Sequence, residues 1–165
     1  MARKIGVTFV SRRNSLRSIL AEACLTHLDT KQRFAACSCG QPGNISDSFH
    51  PAAIGALRTA SIPLPKTAPR SWDELARSNS PKADFVITLD PETEPFQPRW
   101  PDQPDAALWA FPDLAAINNP EEVAVGAVRM LYALRRRLEL LICLPMQGAD
   151  RTAIRSDVRD LAHLP

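Results

Sequence analysis

Apolar positions along this chain follow two rhythms. Ile5 to Val10 (IGVTFV) and Asp84 to Leu89 (DFVITL) are short, nearly continuous apolar or β-branched runs. Such runs, lacking apolar/polar alternation, predict strands buried on both faces, as in a parallel sheet. Arg33 to Cys39 and Ala106 to Phe111 predict two further strands. Between the strands the period lengthens. From Ser15 or Arg17 through Asp29, residues Leu16, Leu20, Ala23, Cys24 and Leu28 recur at three- and four-residue steps, one face of a helix. Pro51 to Ala60 predicts a second helix, its proline suited to the first turn. Ser71-Trp-Asp-Glu74 has the form of a capping box and predicts a short helix to about Arg77. Pro120 to Leu144 is the longest helix, with Val123, Ala127, Met130, Leu131, Leu134, Leu138 and Leu141 on one stripe and Pro145 as its stop. Arg135, Arg136 and Arg137 lie late in it, where cations suit the macrodipole; their ordinary reading is a solvated helix end. Asp150 to Leu161 is amphipathic and fit to dock on the body or on another subunit.

Strands alternating with helices predict an α/β fold of three layers: a four-stranded parallel sheet flanked by helices. We divide the chain into an α/β domain over residues 1–145 and a helical extension over 146–165. A length of 165 residues suits one such domain with a real core. Prolines crowd the segment from Ile62 to Pro120, which predicts long, stiffened surface connections there.

Charge narrows the partners. Twenty basic against 18 acidic residues leave a net charge of +2, which does not point to nucleic acid or a membrane surface. No apolar run approaches the ~20 residues that span a bilayer. The basic start lacks a signal peptide's apolar segment, so a cytoplasmic address is expected. The four cysteines, Cys24, Cys37, Cys39 and Cys143, have no second Cys/His pair at zinc-like spacing, so they read as free thiols, and no metal or cofactor is expected.

The first strand runs straight into Ser11-Arg12-Arg13-Asn14-Ser15-Leu16-Arg17-Ser18, and a helix follows. In open parallel sheets ligands bind outside the carboxyl ends of the strands, which is where this loop falls. A strand–loop–helix turn aims backbone N–H groups inward and adds the positive end of a helix. Arg17 offers a planar fork to two oxygens of a phosphate-like group. Asn14 is a residue type that tolerates a left-handed backbone and can brace a loop. Ser18 can return a hydroxyl toward Ser11, and Arg12 and Arg13 add positive charge. The alternative is an ordinary solvated turn.

The loop resembles the phosphate-binding loop of the low-molecular-weight protein tyrosine phosphatases and of the thioredoxin-coupled arsenate reductases that share their fold. That signature is Cys-x-x-Asn-x-Cys-Arg-Ser; Asn14, Arg17 and Ser18 match it, while Ser11 stands at the nucleophile and Leu16 at the second cysteine. The likeness extends over about residues 4 to 144. LAEACLTHL resembles the family's MAEA helix, and RFAACSCGQPG its second strand and turn. HPAAIGALRTASIPL, SWDEL and DFVITL follow in order, and LWAFPDLAAI resembles the reductases' Trp-Gly-x-x-Asp-Pro-Ala. The resemblance implies a loop, Ser11 to Ser18, that binds a phosphate- or sulfate-type anion, free or on a phosphorylated protein. It implies catalytic positions at Ser11, Arg17 and Asp113, with Asp113 the general acid and Leu114 replacing the proline after it.

In the family a Cys thiolate attacks phosphorus and the acid protonates the leaving oxygen. A serine is far harder to ionise than a thiol near ~8.5 and needs a neighbouring base. The expectation is therefore an anion-binding, catalytically impaired relative of the phosphatases. Three alternatives stay open: a slow phosphomonoesterase using Ser11 or Asp113-directed water, an engineered Cys-to-Ser form of an active phosphatase, and a scaffold whose long helix and tail form a homodimer. The reductase relay needs cysteines around the third strand, and none lies between Cys39 and Cys143. Asp90-Pro91, at the first relay position, reads as a turn initiator.

Overall fold

The computed structural model describes residues 3–77, 80–146 and 151–165. Its elements are β1 (Ile5–Val10), α1 (Arg17–Leu28), β2 (Phe34–Cys39), α2 (Pro51–Thr59), β3 (Phe85–Thr88), β4 (Asp105–Leu108), α3 (Pro120–Ile142) and α4 (Arg151–Asp160). Asp150, where the sequence places the start of the last helix, lies outside the described residues. The four strands form one parallel sheet in the order β2-β1-β3-β4.

That order positions the site. The chain starts in the middle of the sheet, steps to β2 on one side, then crosses to β3 on the other. Connections leaving β1 and β3 therefore diverge at their carboxyl ends, and the crevice between them is the sheet's ligand position. The loop after β1 opens into it, and the loops after β3 and β4 form its far wall.

Alternate residues on each strand face opposite sides. Val7, Phe9, Phe85 and Ile87 enter a core built with Leu20 and Leu25 of α1, Leu57 of α2, and Leu134 and Leu138 of α3. Val10 and Val86 turn to the other side and pack with Cys39 and Trp72 in a smaller cluster. The α-helices thus belong to the larger core, and the second layer is made of the 3-10 turn Trp72–Glu74 and the proline-rich connections. There the Ser71 hydroxyl accepts from the Asp73 N–H at 3.1 Å, one residue earlier than in a capping box, and the helix stops after one turn.

Gly6 belongs to this packing. A Cβ there would lie 2.0 Å from the Lys82 carbonyl oxygen, so only glycine admits the close pass of the chain entering β3. β4 ends at Leu108, short of the predicted Phe111, because Phe111 N–H turns to the Leu89 carbonyl at 3.0 Å. No helix among the described residues is long and apolar enough to cross a membrane.

Candidate functional site

Residues 11–18 form a cradle because their carbonyls are pulled outward. Gln41 N–H donates to the Arg12 carbonyl at 3.0 Å, Ser46 N–H to Arg13 at 3.1 Å, and His50 N–H to Ser15 at 2.9 Å. A peptide whose carbonyl points out turns the next N–H in. The N–H groups of residues 12–18 have no backbone partner among the described residues. They converge at the start of α1, where the helix adds positive potential. Gly40 lets the second loop approach: a Cβ there would meet the Arg12 carbonyl oxygen at 2.9 Å and the Asn14 nitrogen at 3.0 Å.

Asn14 fixes the shape. Its φ is 51°, in the left-handed region that asparagine tolerates better than most residues. Its Oδ1 accepts from the Arg70 N–H at 3.0 Å, which leaves Nδ2 as the donor. Nδ2 donates to Ser18 Oγ at 2.8 Å and to Ser38 Oγ at 2.9 Å. Ser18 Oγ lies 2.7 Å from Ser11 Oγ, and Ser38 Oγ donates to Glu22 Oε1 at 2.5 Å. Burial raises the Glu22 pKa above the ordinary range, against the opposing pull of the Ser38 bond and the Arg70 charge. Ser11, Asn14, Ser15, Leu16, Arg17 and Ser18 are all buried.

Arg17 supplies the cation. One terminal nitrogen donates to the Phe111 carbonyl at 3.1 Å, the other to Asp90 Oδ2 at 3.2 Å. Two of the five guanidinium N–H bonds are thereby used, and the fork is held from behind. Asp90 also forms the turn read from the sequence, since its Oδ1 accepts from Glu92 N–H at 3.1 Å. Its second role, as the buried partner of Arg17, went unread, as did the bracing by Ser38 and Glu22.

Asp113 and the outer arginines close the mouth. Arg13 donates to both carboxylate oxygens of Asp113, at 2.7 and 2.8 Å, and Arg17 lies 3.5 Å from the nearer one. Arg12 pairs with Glu92 at 3.7 Å. Burial alone would raise the Asp113 pKa, but the Arg13 hydrogen bond and the charges of Arg17, Arg13 and Arg12 outweigh it and hold the carboxyl below the usual range. The space left among Ser11, Arg13, Arg17 and Asp113 is about 10 Å3, room for one water. The structure thus gathers all the predicted positions, Ser11 to Ser18 and Asp113, at one end of the sheet.

None of the four cysteines lies in the cradle. Burial pushes the Cys24 thiol up to about 12 and raises those of Cys37 and Cys39 as well; Cys143 is exposed beyond α3. Among the described residues no cluster of His, Cys, Asp and Glu is arranged to hold a metal ion.

Solved structures with the same fold carry the comparison further. An arsenate reductase from Archaeoglobus fulgidus is 22% identical, with a TM-score of 0.64 over 84% of this chain and 99% of that one. An arsenate reductase in its phosphate-binding state is 25% identical, with a TM-score of 0.63 over 84% and 97%. The tyrosine phosphatase Wzb from Escherichia coli K30, in complex with sulphate, is 17% identical, with a TM-score of 0.63 over 84% and 99%. No curated protein matches the chain. The family model of the low molecular weight phosphotyrosine protein phosphatases matches residues 6–98, a span that holds the whole cradle, both loops that brace it and Asp90 behind Arg17. With more than half its length matched and the sheet order, loop and buried arginine in place, the chain belongs to the low molecular weight phosphotyrosine protein phosphatase family.

Proposed function

We propose that this chain binds a phosphate-type oxyanion, free or carried by a phosphorylated partner, in the loop Ser11–Ser18, and that it is catalytically impaired. The observation that carries the reading is the pairing of a complete cradle with an unactivated hydroxyl. The inward N–H groups, the start of α1 and the braced Arg17 fork are what a tetrahedral dianion needs. Ser11 lacks what a nucleophile needs. Among the described residues its hydroxyl meets only Ser18 Oγ, which accepts in turn from the Asn14 amide. The Asn14 amide nitrogen, which donates one N–H to Ser18 and one to Ser38, passes no proton between them, so Glu22 on its far side cannot serve Ser11 as a base. Asp113 is no better placed as an acid, because the Arg13 hydrogen bonds and the charges of Arg17, Arg13 and Arg12 favour its charged form over the protonated one an acid needs.

Binding is tested by calorimetric titration of phosphate and vanadate, with Arg17→Ala as control. Saturable binding lost in the variant is expected; no binding by the wild type would sink the reading. An ionised Asp113 at the mouth also favours a second reading, a slow phosphomonoesterase in which that carboxylate activates water. An aryl phosphate assay separates the two. Turnover abolished by Asp113→Ala supports the slow enzyme; turnover that appears only in Ser11→Cys supports the impaired cradle.

A further inference from the structure

We propose that Arg137 and the segment 151–165 position the Arg17 guanidinium, acting through Trp109 and Phe111. The inference rests on the reading of Arg17 as the oxyanion ligand and adds to it a second tier of residues that hold it.

Arg137 was expected on a solvated helix end. It is instead 6% exposed, late in α3, with no carboxylate partner among the described residues. Its Nε and one terminal nitrogen have no hydrogen-bond partner among the described residues, and burial lowers its pKa. An arginine so placed is costly unless something else holds it. Two contacts do. Its guanidinium carbon lies 4.5 Å from the Phe111 ring centroid and 5.9 Å from that of Trp109, within reach of cation–π attraction. Its other terminal nitrogen donates to the Leu164 carbonyl at 3.0 Å.

The tail grips the same segment from the other side. The fully buried Trp109 indole N–H donates to the Val158 carbonyl at 3.0 Å. Ile154, Val158 and Leu161 are buried in the main core, and Arg159 Nε donates to the Ala106 carbonyl of the edge strand β4 at 3.1 Å. Between these anchors stands Phe111. Its ring supports Arg137, and its carbonyl accepts from Arg17. A contact chain therefore runs from Leu164 through Arg137 and Phe111 to the cationic fork in the cradle. Asp90 holds one side of that fork; the tail, at one remove, holds the other.

The test compares the full chain with Arg137→Met, which keeps the side-chain stem and loses the charge and the donor. Two quantities are read. One is the Nε–H resonance of Arg17 in the nitrogen-15 spectrum, identified by its loss in Arg17→Lys. The other is phosphate affinity by calorimetry, below the melting range of both proteins. A moved Arg17 resonance and phosphate binding weakened about fivefold are expected, the factor that loss of one neutral hydrogen bond is worth. A variant that melts earlier but keeps the wild-type Arg17 resonance and affinity would overturn the proposal, since Arg137 would then only stabilise the fold. If the wild type binds no phosphate, the binding reading falls by itself. The Arg17 resonance then decides the positioning role, for it if moved and against it if not. Should Arg137→Met fail to fold, Trp109→Phe removes only the indole donor to Val158 and is judged by the same two readings.

Discussion

Replacing Asp113 by asparagine should make the cradle bind anions more tightly. In the resting structure the Asp113 carboxylate fills the mouth, accepts two hydrogen bonds from Arg13 and stands 3.5 Å from Arg17. An incoming dianion must share those arginines with it or push it aside. At an effective dielectric of about 40, suited to a half-exposed site, a dianion and a carboxylate about 6 Å apart repel by about 2.8 kcal/mol. The neutral amide removes that repulsion and keeps one acceptor for Arg13, so affinity should rise about a hundredfold. Sulfate is the suitable probe because its charge is constant across the relevant pH range. The sign of the pH effect follows. Asp113 has a depressed folded-state pKa, so its ion pairs stabilise the fold above the unfolded value of about 3.9, and that stability is lost as pH falls through the folded value. Over that fall Asp113 becomes neutral, and sulfate binding to the wild type should strengthen; the Asn variant should not show the rise. A calorimetric sulfate Kd that is unchanged or weaker in Asp113→Asn, with thermal stability intact, would refute the reasoning.

Arg17→Ala should lower stability by about 3 kcal/mol, because it strands Asp90 as a buried charge, and Arg17→Ala/Asp90→Ala should recover part of that in urea titrations. Asn14→Gly loses three buried hydrogen bonds at about 1 kcal/mol each, and Asn14→Ala should cost about 1 kcal/mol more because φ is 51° there; equal losses would show that the loop relaxes out of the left-handed region. Ser11→Cys should carry a thiol that titrates below the usual value of about 8.5, read from the pH dependence of alkylation, and lower still when Asp113→Asn is added.

The sheet was legible because its strands announce themselves. IGVTFV and DFVITL have no polar alternation, and both are buried on both faces. The long helix was legible from its stripe, apart from Arg137, whose burial depends on where residues 151–165 come to lie. No local pattern encodes that contact. The loop's identity lay in contiguous residues, but its bracing did not. Ser38 and Glu22 reach Asn14 only because β2 pairs with β1 in a register that sets Ser38 beside Phe9. Asp90 was read as a turn former because its local geometry is that of a turn; its ion pair with Arg17 needs β3 beside β1. The second layer was the hardest part to read. A capping box is a statement about hydrogen bonds, and here the Ser71 hydroxyl takes the Asp73 N–H instead of the one a residue later, so the box does not form.

The cradle holds Ser11 where the family signature has cysteine, and its charges are paired without a thiolate. A thiolate at that position would place a negative charge among the inward N–H groups and Arg17, and would lower its own pKa by doing so. Serine supplies no such charge. Each arginine of the loop has a carboxylate: Arg12 has Glu92, Arg13 has Asp113, Arg17 has Asp90. These pairs differ in exposure, and hence in how readily they part. The Arg17–Asp90 pair is buried, and separating it strands a charge. The pairs of Arg12 and Arg13 are partly exposed and screened, so opening them costs little. On the proposed reading, a dianion entering the loop would exchange with Asp113 and Glu92 and leave Asp90 in place. Binding would then be an exchange of anions at a fixed arginine. It also predicts that raising ionic strength weakens the outer pairs and the ligand together, so phosphate affinity should vary less steeply with salt in the wild type than in Asp113→Asn.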